Sequence, residues 1–126
     1  EQLAGRTVVL VDDDARNVFA LSSVLERRGM NVLTATNGAE AIQLINSTPG
    51  LALVLMDIMM PGMDGYQAIG AIRKNPAWRR LPIIALTAKA MKGDREKCLE
   101  AGASDYLAKP VNTEQLLSTL RSWLHR

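Results

Sequence analysis

The chain has 126 residues, 48% of them hydrophobic and 22% charged, with a formal net charge of +2. That is about one domain's worth of sequence, able to bury a core without staples. Its single cysteine, Cys98, excludes internal disulfides and any Cys-based metal site and suits a reducing compartment. No apolar stretch approaches the roughly 20 residues of a membrane span, and the N-terminus lacks the layout of a signal peptide. Lysine and arginine are scattered rather than gathered into the stripe that nucleic acid selects. The expectation is a cytoplasmic domain that touches neither membrane nor nucleic acid.

In chain order, EQLAGR (1–6) reads as a lead-in and TVVLV (7–11) as the first strand. Val18, Leu21 and Leu25 then share a helical face, which Gly29 ends as a C-terminal cap. NVLTA (31–35) is a second strand, and Ile42 and Ile45 mark a second helix ahead of Pro49. LALVLM (51–56) is a third strand. Tyr66, Ile69 and Ile72 give a third helix, broken at Asn75-Pro76. PIIAL (82–86) follows, and then a weak helix from about Met91 to Ala101, whose apolar residues Met91, Cys98 and Leu99 are spread among charges. SDYLA (104–108) is the fifth strand. The last helix begins near Thr113, as its N-cap or first turn, and carries a stripe of Leu116, Leu117, Leu120, Trp123 and Leu124.

Strand and helix thus alternate five times. The first and third runs are nearly continuous in apolar residues, as strands covered on both faces are, so the fold class is α/β with a parallel sheet between helical layers. No linker or repeat divides residues 1–126, which read as one domain with no output domain attached.

In such sheets functional groups collect at the carboxyl ends of the strands. The first run ends in Asp12, Asp13 and Asp14, the third in Asp57, the fourth in Thr87 and the fifth in Lys109-Pro110. Each has an ordinary explanation: Asp14 as a helix cap, Thr87 as a strand residue, Lys109 as a surface charge, Tyr106 as a β-favoured aromatic. Together they are harder to dismiss, because clustered carboxylates repel unless a cation offsets them. Hard oxygen ligands without a His or Cys cluster suit Mg²⁺ or Mn²⁺. A carboxylate beside such a metal is a nucleophile toward phosphorus, with the metal, Lys109 and Thr87 as partners for the phosphoryl oxygens.

VDDD (11–14), MDIMMPGMDG (56–65), ALTA (85–88) and YLAKP (106–110), in that order, resemble the receiver domain of two-component response regulators over essentially the whole chain. DDDARNVFALSSVLE and the stretch from ALTAKAMKGDREKCLE onward further resemble receivers attached to hybrid histidine kinases. The resemblance implies a flavodoxin-like three-layer sandwich with a five-stranded parallel sheet of order 2-1-3-4-5. It implies Asp57 as phosphoacceptor, Asp12 and Asp13 as the acidic pair holding Mg²⁺, and the backbone carbonyl of Met59 as a further ligand. It also implies Thr87 and Tyr106 as switch residues and Lys109, before a cis Pro110, as the phosphate-binding lysine. The partner would be a histidine kinase or a histidine-phosphotransfer domain, and a phosphorylation-dependent dimer is among the expected assemblies. Such a domain catalyses its own phosphorylation and dephosphorylation and is no turnover enzyme, although a parent chain can be a kinase.

The weak fourth helix admits two readings: a mobile element of a switch face built with the fifth strand and fifth helix, or a solvated charged surface. Of the rival functions, a haloacid-dehalogenase-type phosphatase needs a second acid two residues past its nucleophile, where this chain has Met59. A flavodoxin-type binder needs a hydroxyl- and Gly-rich loop where this chain has DDDARN. A degenerate receiver that only docks partners is the most serious alternative; its usual mark is loss of the acidic pair, the acceptor or the lysine, and all are present here. Met59 and Lys89, each two residues past a site residue, are expected to lengthen the life of the phosphoform by denying a water its place. His125 has no partner in sequence and reads as incidental.

Overall fold

The computed structural model describes residues 3–60, 62–88 and 92–125. Its elements are β1 (Thr7–Val11), α1 (Ala15–Arg27), β2 (Asn31–Ala35), α2 (Gly38–Asn46), β3 (Leu53–Asp57), α3 (Gly65–Arg73), β4 (Ile83–Thr87), α4 (Lys92–Ala101), β5 (Asp105–Ala108) and α5 (Thr113–Leu124), with a short 3₁₀ turn at Pro76–Trp78. All strand pairs are parallel and the order is β2-β1-β3-β4-β5, as the resemblance implies. The first two strands coincide with their apolar runs. The third, fourth and fifth begin later than expected, and β3 and β4 extend to include Asp57 and Thr87, which pair in register with Leu86 and Ala108. Ladder bonding thus carries the backbone of both polar residues past the end of the apolar run.

Successive strand residues alternate between two cores, which is why the central strands carry no polar side before their ends. Val9, Val11, Val54, Met56, Ile83 and Ala85 face α2, α3 and α4. Val8, Leu10, Leu53, Leu55, Ile84 and Leu86 face α1 and α5, burying Leu21, Leu25, Leu116, Leu117 and Leu120. Part of the lead-in joins this second core: Leu3 is fully buried and Gly5 N–H donates to Gly29 O at 2.8 Å. Gly29 stands at φ +82°, the left-handed position after a helix that glycine fills without strain.

The chain leaves β1 for β2 on one side and crosses back over β1 to β3, so the strand order reverses between β1 and β3. The helix starts on the carboxyl side are fixed locally. Asp14 caps α1 through the Arg16 N–H, Asn37 caps α2, and Asp64 forms a reciprocal capping box with Gln67 at α3. Asn112 caps α5, which makes Thr113 its first residue.

The fourth helix is anchored thinly. Met91 lies outside the described residues; of the side chains described on α4, only Cys98 is fully buried, while Leu99 is 42% exposed and Glu96, Lys97 and Glu100 face solvent. Its carboxyl end is tied down by Arg73, whose guanidinium donates to Gly102 O at 2.9 Å, Trp78 O at 2.7 Å and Ser104 Oγ at 3.2 Å. The carbonyl dipoles take the place of a carboxylate, and burial depresses the Arg73 pKa.

Candidate functional site at the carboxyl edge of the sheet

The polar ends of four strands meet where the strand order reverses. Asp12 follows β1 and continues its ladder, its N–H donating to Ala35 O at 3.1 Å. Asp57 ends β3 and Thr87 ends β4; all three side chains are buried, at 0%, 2% and 4% exposure. Lys109 follows β5, its N–H donating to Thr87 O at 2.8 Å, and the Lys109–Pro110 peptide is cis.

Lys109 Nζ lies 3.1 Å from Asp12 Oδ2 and 3.1 Å from Asp57 Oδ1, so one ammonium bridges two buried carboxylates from different strands. Asp13 is exposed at the rim, and one carboxylate oxygen from each of Asp12, Asp13 and Asp57 lies within 4.8 Å of the others. Three carboxylates against one ammonium leave the pocket two negative charges in excess when all are ionised. That donor set, all hard oxygens with no His or Cys, fits a divalent cation of the Mg²⁺ kind.

The two buried acids respond differently to the same burial. Desolvation pushes Asp57 up to about 6, and the Asp12 charge adds to the rise; Lys109 and the Met59 N–H oppose it. Desolvation would raise Asp12 as well, but hydrogen bonds from the Asp14 N–H, Asn17 and Lys109 outweigh it and leave Asp12 below its ordinary value. Burial works against the Lys109 ammonium, yet its two carboxylate partners raise its pKa.

Asp57 is fixed by its neighbours in sequence. Oδ1 accepts the Met59 N–H at 3.2 Å as well as Lys109, whereas Oδ2 has no hydrogen-bond partner among the described residues. The loop after it is closed by Gly65, whose N–H donates to Ile58 O at 3.0 Å. A Cβ at residue 65 would stand 2.4 Å from Asp57 O and 2.6 Å from Ile58 Cα, so only glycine allows α3 to start against the strand end.

The remaining expected residues lie nearby in different roles. Met59 is 65% exposed beside Asp57, at a shallow cavity with Ile58, Met60, Asp64 and Tyr66. Asp14 caps α1 and its N–H donates to Asp12 Oδ1 at 2.9 Å, so it serves the site through its backbone. Tyr106 is half-buried against the α2–α4 core, with the Arg95 guanidinium 5.8 Å from its ring centroid. Lys89 lies outside the described residues.

Two residues that sequence reasoning passed over belong to the neighbourhood. Asn17, in the first turn of α1, donates its side-chain amide to Asp12 Oδ2. Its signal was an asparagine just inside a helix, where that residue is a poor helix former. Phe19, two residues on, is 75% exposed at a cavity of about 330 Å³ shared with Asp12, Asp13, Val18, Ser22 and Thr34. A larger cavity of about 630 Å³ lies at the opposite ends of the strands, lined by Arg6, Arg80 and Trp123, and none of the acids above reaches it.

A doubly wound parallel sheet with an acidic pocket and one bridging lysine at its switch point defines a flavodoxin-like fold of a narrow kind. The chain belongs to the response regulator receiver domain family, whose model matches residues 8–121. It is 41% identical over 128 residues to the sensor histidine kinase GacS of Pseudomonas protegens, covering 98% of this chain but 14% of that protein; the chain thus spans about one seventh of that relative's length. Among solved structures it is similar to the receiver domain of the sensor histidine kinase PA1611 from Pseudomonas aeruginosa PAO1, with magnesium coordinated in the active site cleft. That match has a TM-score of 0.90 and 39% identity, over 98% of this chain and 100% of that one. It is also similar to a chain of the co-crystal structure of the Saccharomyces cerevisiae histidine phosphotransfer protein Ypd1 with the receiver domain of its downstream response regulator Ssk1 (TM-score 0.87, 31% identity, 94% and 88% covered). Among the described residues no helix is long and apolar enough to cross a membrane.

Proposed function

We propose that this receiver domain accepts a phosphoryl group from a phosphohistidine partner onto Asp57, with Asp12, Asp13, Asp57 and the Met59 backbone carbonyl holding Mg²⁺. The observation that carries the reading is the bridge: one lysine 3.1 Å from each of two buried carboxylates, with a third carboxylate within 4.8 Å. The bound cation would supply charge neutralisation for the acidic cluster and for the phosphoryl oxygens.

The chain's own residues perform the rest. Asp57 Oδ1 is anchored by Lys109 and the Met59 N–H, which leaves Oδ2 as the nucleophilic oxygen. Its lone pair forms the O–P bond as the P–N bond to the partner's histidine breaks, and the imidazole leaves with that electron pair. Desolvation disfavours ionised Asp57, and the Lys109 ammonium counters it, keeping the nucleophile charged. Lys109 and the Thr87 hydroxyl then receive the phosphoryl oxygens.

If Thr87 is drawn to the new group, Tyr106 can turn toward the space it leaves. The face of α4, β5 and α5 would shift with it, a movement eased because Cys98 alone is buried among the described side chains of α4. The partner must bring its histidine to the pocket rim, and Phe19, exposed on α1 beside Asp13, is the apolar contact there. Magnesium in the related PA1611 domain and a phosphotransfer protein bound to the related Ssk1 receiver support both parts of the reading.

The test is incubation with a small phosphodonor and Mg²⁺ followed by intact mass measurement. One labile phosphoryl addition, abolished by Asp57→Asn, is expected. No addition in the parent, under conditions where Mg²⁺ binds, would leave a docking module without phosphorylation.

A further inference from the structure

We propose that Asn17 is a positioning residue for the cation: it commits one oxygen of Asp12 to Lys109 and so keeps the other oxygen open to the metal. The inference rests on the metal reading above and assigns a role to a side chain outside the acidic set.

An ionised carboxylate offers about four acceptor sites, two on each oxygen. Asp12 Oδ2 receives both the Asn17 amide and the Lys109 ammonium, which fills it. Among the described residues Oδ1 receives only the Asp14 N–H, at 2.9 Å, and keeps one site. The torsion about the carboxylate is broad, and by itself it would let the plane rotate away from the orientation that divides its two oxygens between lysine and cation. Asn17 restrains that rotation, because its amide is mounted on the first turn of a helix whose N-cap, Asp14, also donates to Asp12. The nitrogen of the Asn17 amide must be the atom facing Asp12, since its oxygen would meet a carboxylate acceptor to acceptor. Fixing a ligand's orientation from outside the ligand set is a general source of metal affinity, and such partners are typically worth 10- to 100-fold.

A purely helical role makes the opposite forecast. Asparagine is a poor helix former, so Asn17→Ala would then stabilise the helix and leave the metal untouched.

The experiment is calorimetric titration of Mg²⁺ into the parent, Asn17→Ala, Asn17→Leu and Asn17→Gln, with melting of each in EDTA and the phosphorylation rate from a small phosphodonor at low and at saturating Mg²⁺. Asn17→Ala and the similarly sized Asn17→Leu are expected to lose about tenfold in Mg²⁺ affinity. Asn17→Gln, which keeps an amide, should recover much of that loss. The fall in rate should be larger at low Mg²⁺ than at saturating Mg²⁺, because Asn17 touches Asp12 and not the acceptor. Parental affinity in both Ala and Leu variants overturns the proposal, as does a loss that Asn17→Gln shares in full. Absence of Mg²⁺ binding by the parent overturns the metal reading itself, which separates the two failures. Should Asn17→Leu fail to fold, the Ala and Gln pair decides.

Discussion

Replacing Asp57 by asparagine should make the metal-free protein more stable at neutral pH, although it destroys the proposed acceptor. The Asp57 pKa rises from 3.8 to about 6, led by burial, which corresponds to about 3 kcal/mol against the folded form once the group is ionised. Because the folded value is the raised one, the folded chain binds the proton more tightly than the unfolded chain. Stability from this group is therefore complete below pH 3.8 and is lost as pH climbs through about 6. Asp12 works in a separate window: its pKa is lowered, so its contribution is present above 3.8 and is lost only in more acid solution. Asparagine has nearly the same shape and its Oδ1 can still accept from Lys109 and the Met59 N–H, so a good part of the relief should be realised. A gain of about 1 to 3 kcal/mol translates to a rise in Tm of roughly 4 to 12 °C for a domain of this size. The assay is thermal melting by circular dichroism in EDTA at pH 7.5 and at pH 5, with a Mg²⁺ series alongside. The advantage of Asp57→Asn should shrink at pH 5, where the parent carboxyl is largely protonated. Mg²⁺ should raise the parent's Tm by mass action and that of the variant less. Equal or lower stability of the variant at pH 7.5, or an advantage that ignores pH, would refute the shared-pocket reasoning.

Lys109→Ala leaves Asp12 and Asp57 buried without their ammonium and should destabilise the metal-free protein by about 2 to 3 kcal/mol, with Mg²⁺ affinity equal to or above the parent's; denaturant melts and calorimetry check both, and a parallel loss of metal affinity would mean the lysine serves the cation. Gly65→Ala forces a methyl group against Asp57 O and should cost about 2 to 3 kcal/mol while slowing phosphorylation, since the acceptor's own backbone must move; a variant with parental stability and rate counts against the close approach. Arg95→Ala removes the cation over the Tyr106 ring and should cost about 0.5 to 1 kcal/mol, with a changed Tyr106 ring resonance by NMR. A Met59→Asn, Lys89→Glu double variant should release its phosphoryl group faster than the parent, followed by mass spectrometry over time; an unchanged lifetime would show that neither side chain controls access of the attacking water.

What the sequence determined by itself was the architecture and the strand-end residues. Apolar runs of five or six residues, alternating with helical spacing, require a sheet covered on both faces, and such a sheet presents whatever polar residue ends each run. Asp12, Asp57, Thr87 and Lys109 were therefore legible as neighbours from the ends of TVVLV, LALVLM, PIIAL and SDYLA. The strand limits were less so: β3 and β4 run on through Asp57 and Thr87 because backbone pairing, unlike side-chain burial, is indifferent to polarity. Tertiary structure alone decided how the charges are shared. That Lys109 stands equally close to Asp12 and Asp57 follows from chain closure across 97 residues, which no local pattern encodes. The same holds for Arg73, whose half-buried guanidinium finds Gly102 O only after α3 and the turn following α4 are packed together. Asn17 and Gly65 fall between these cases. Each looks ordinary in its own helix, as a weak helix former or one more loop glycine, and acquires its meaning from a distance to an acid, one through a hydrogen bond to Asp12 and the other through contact with the Asp57 carbonyl. Sequence pattern reports on what must be buried; which oxygen meets which donor depends on three-dimensional packing to within an ångström.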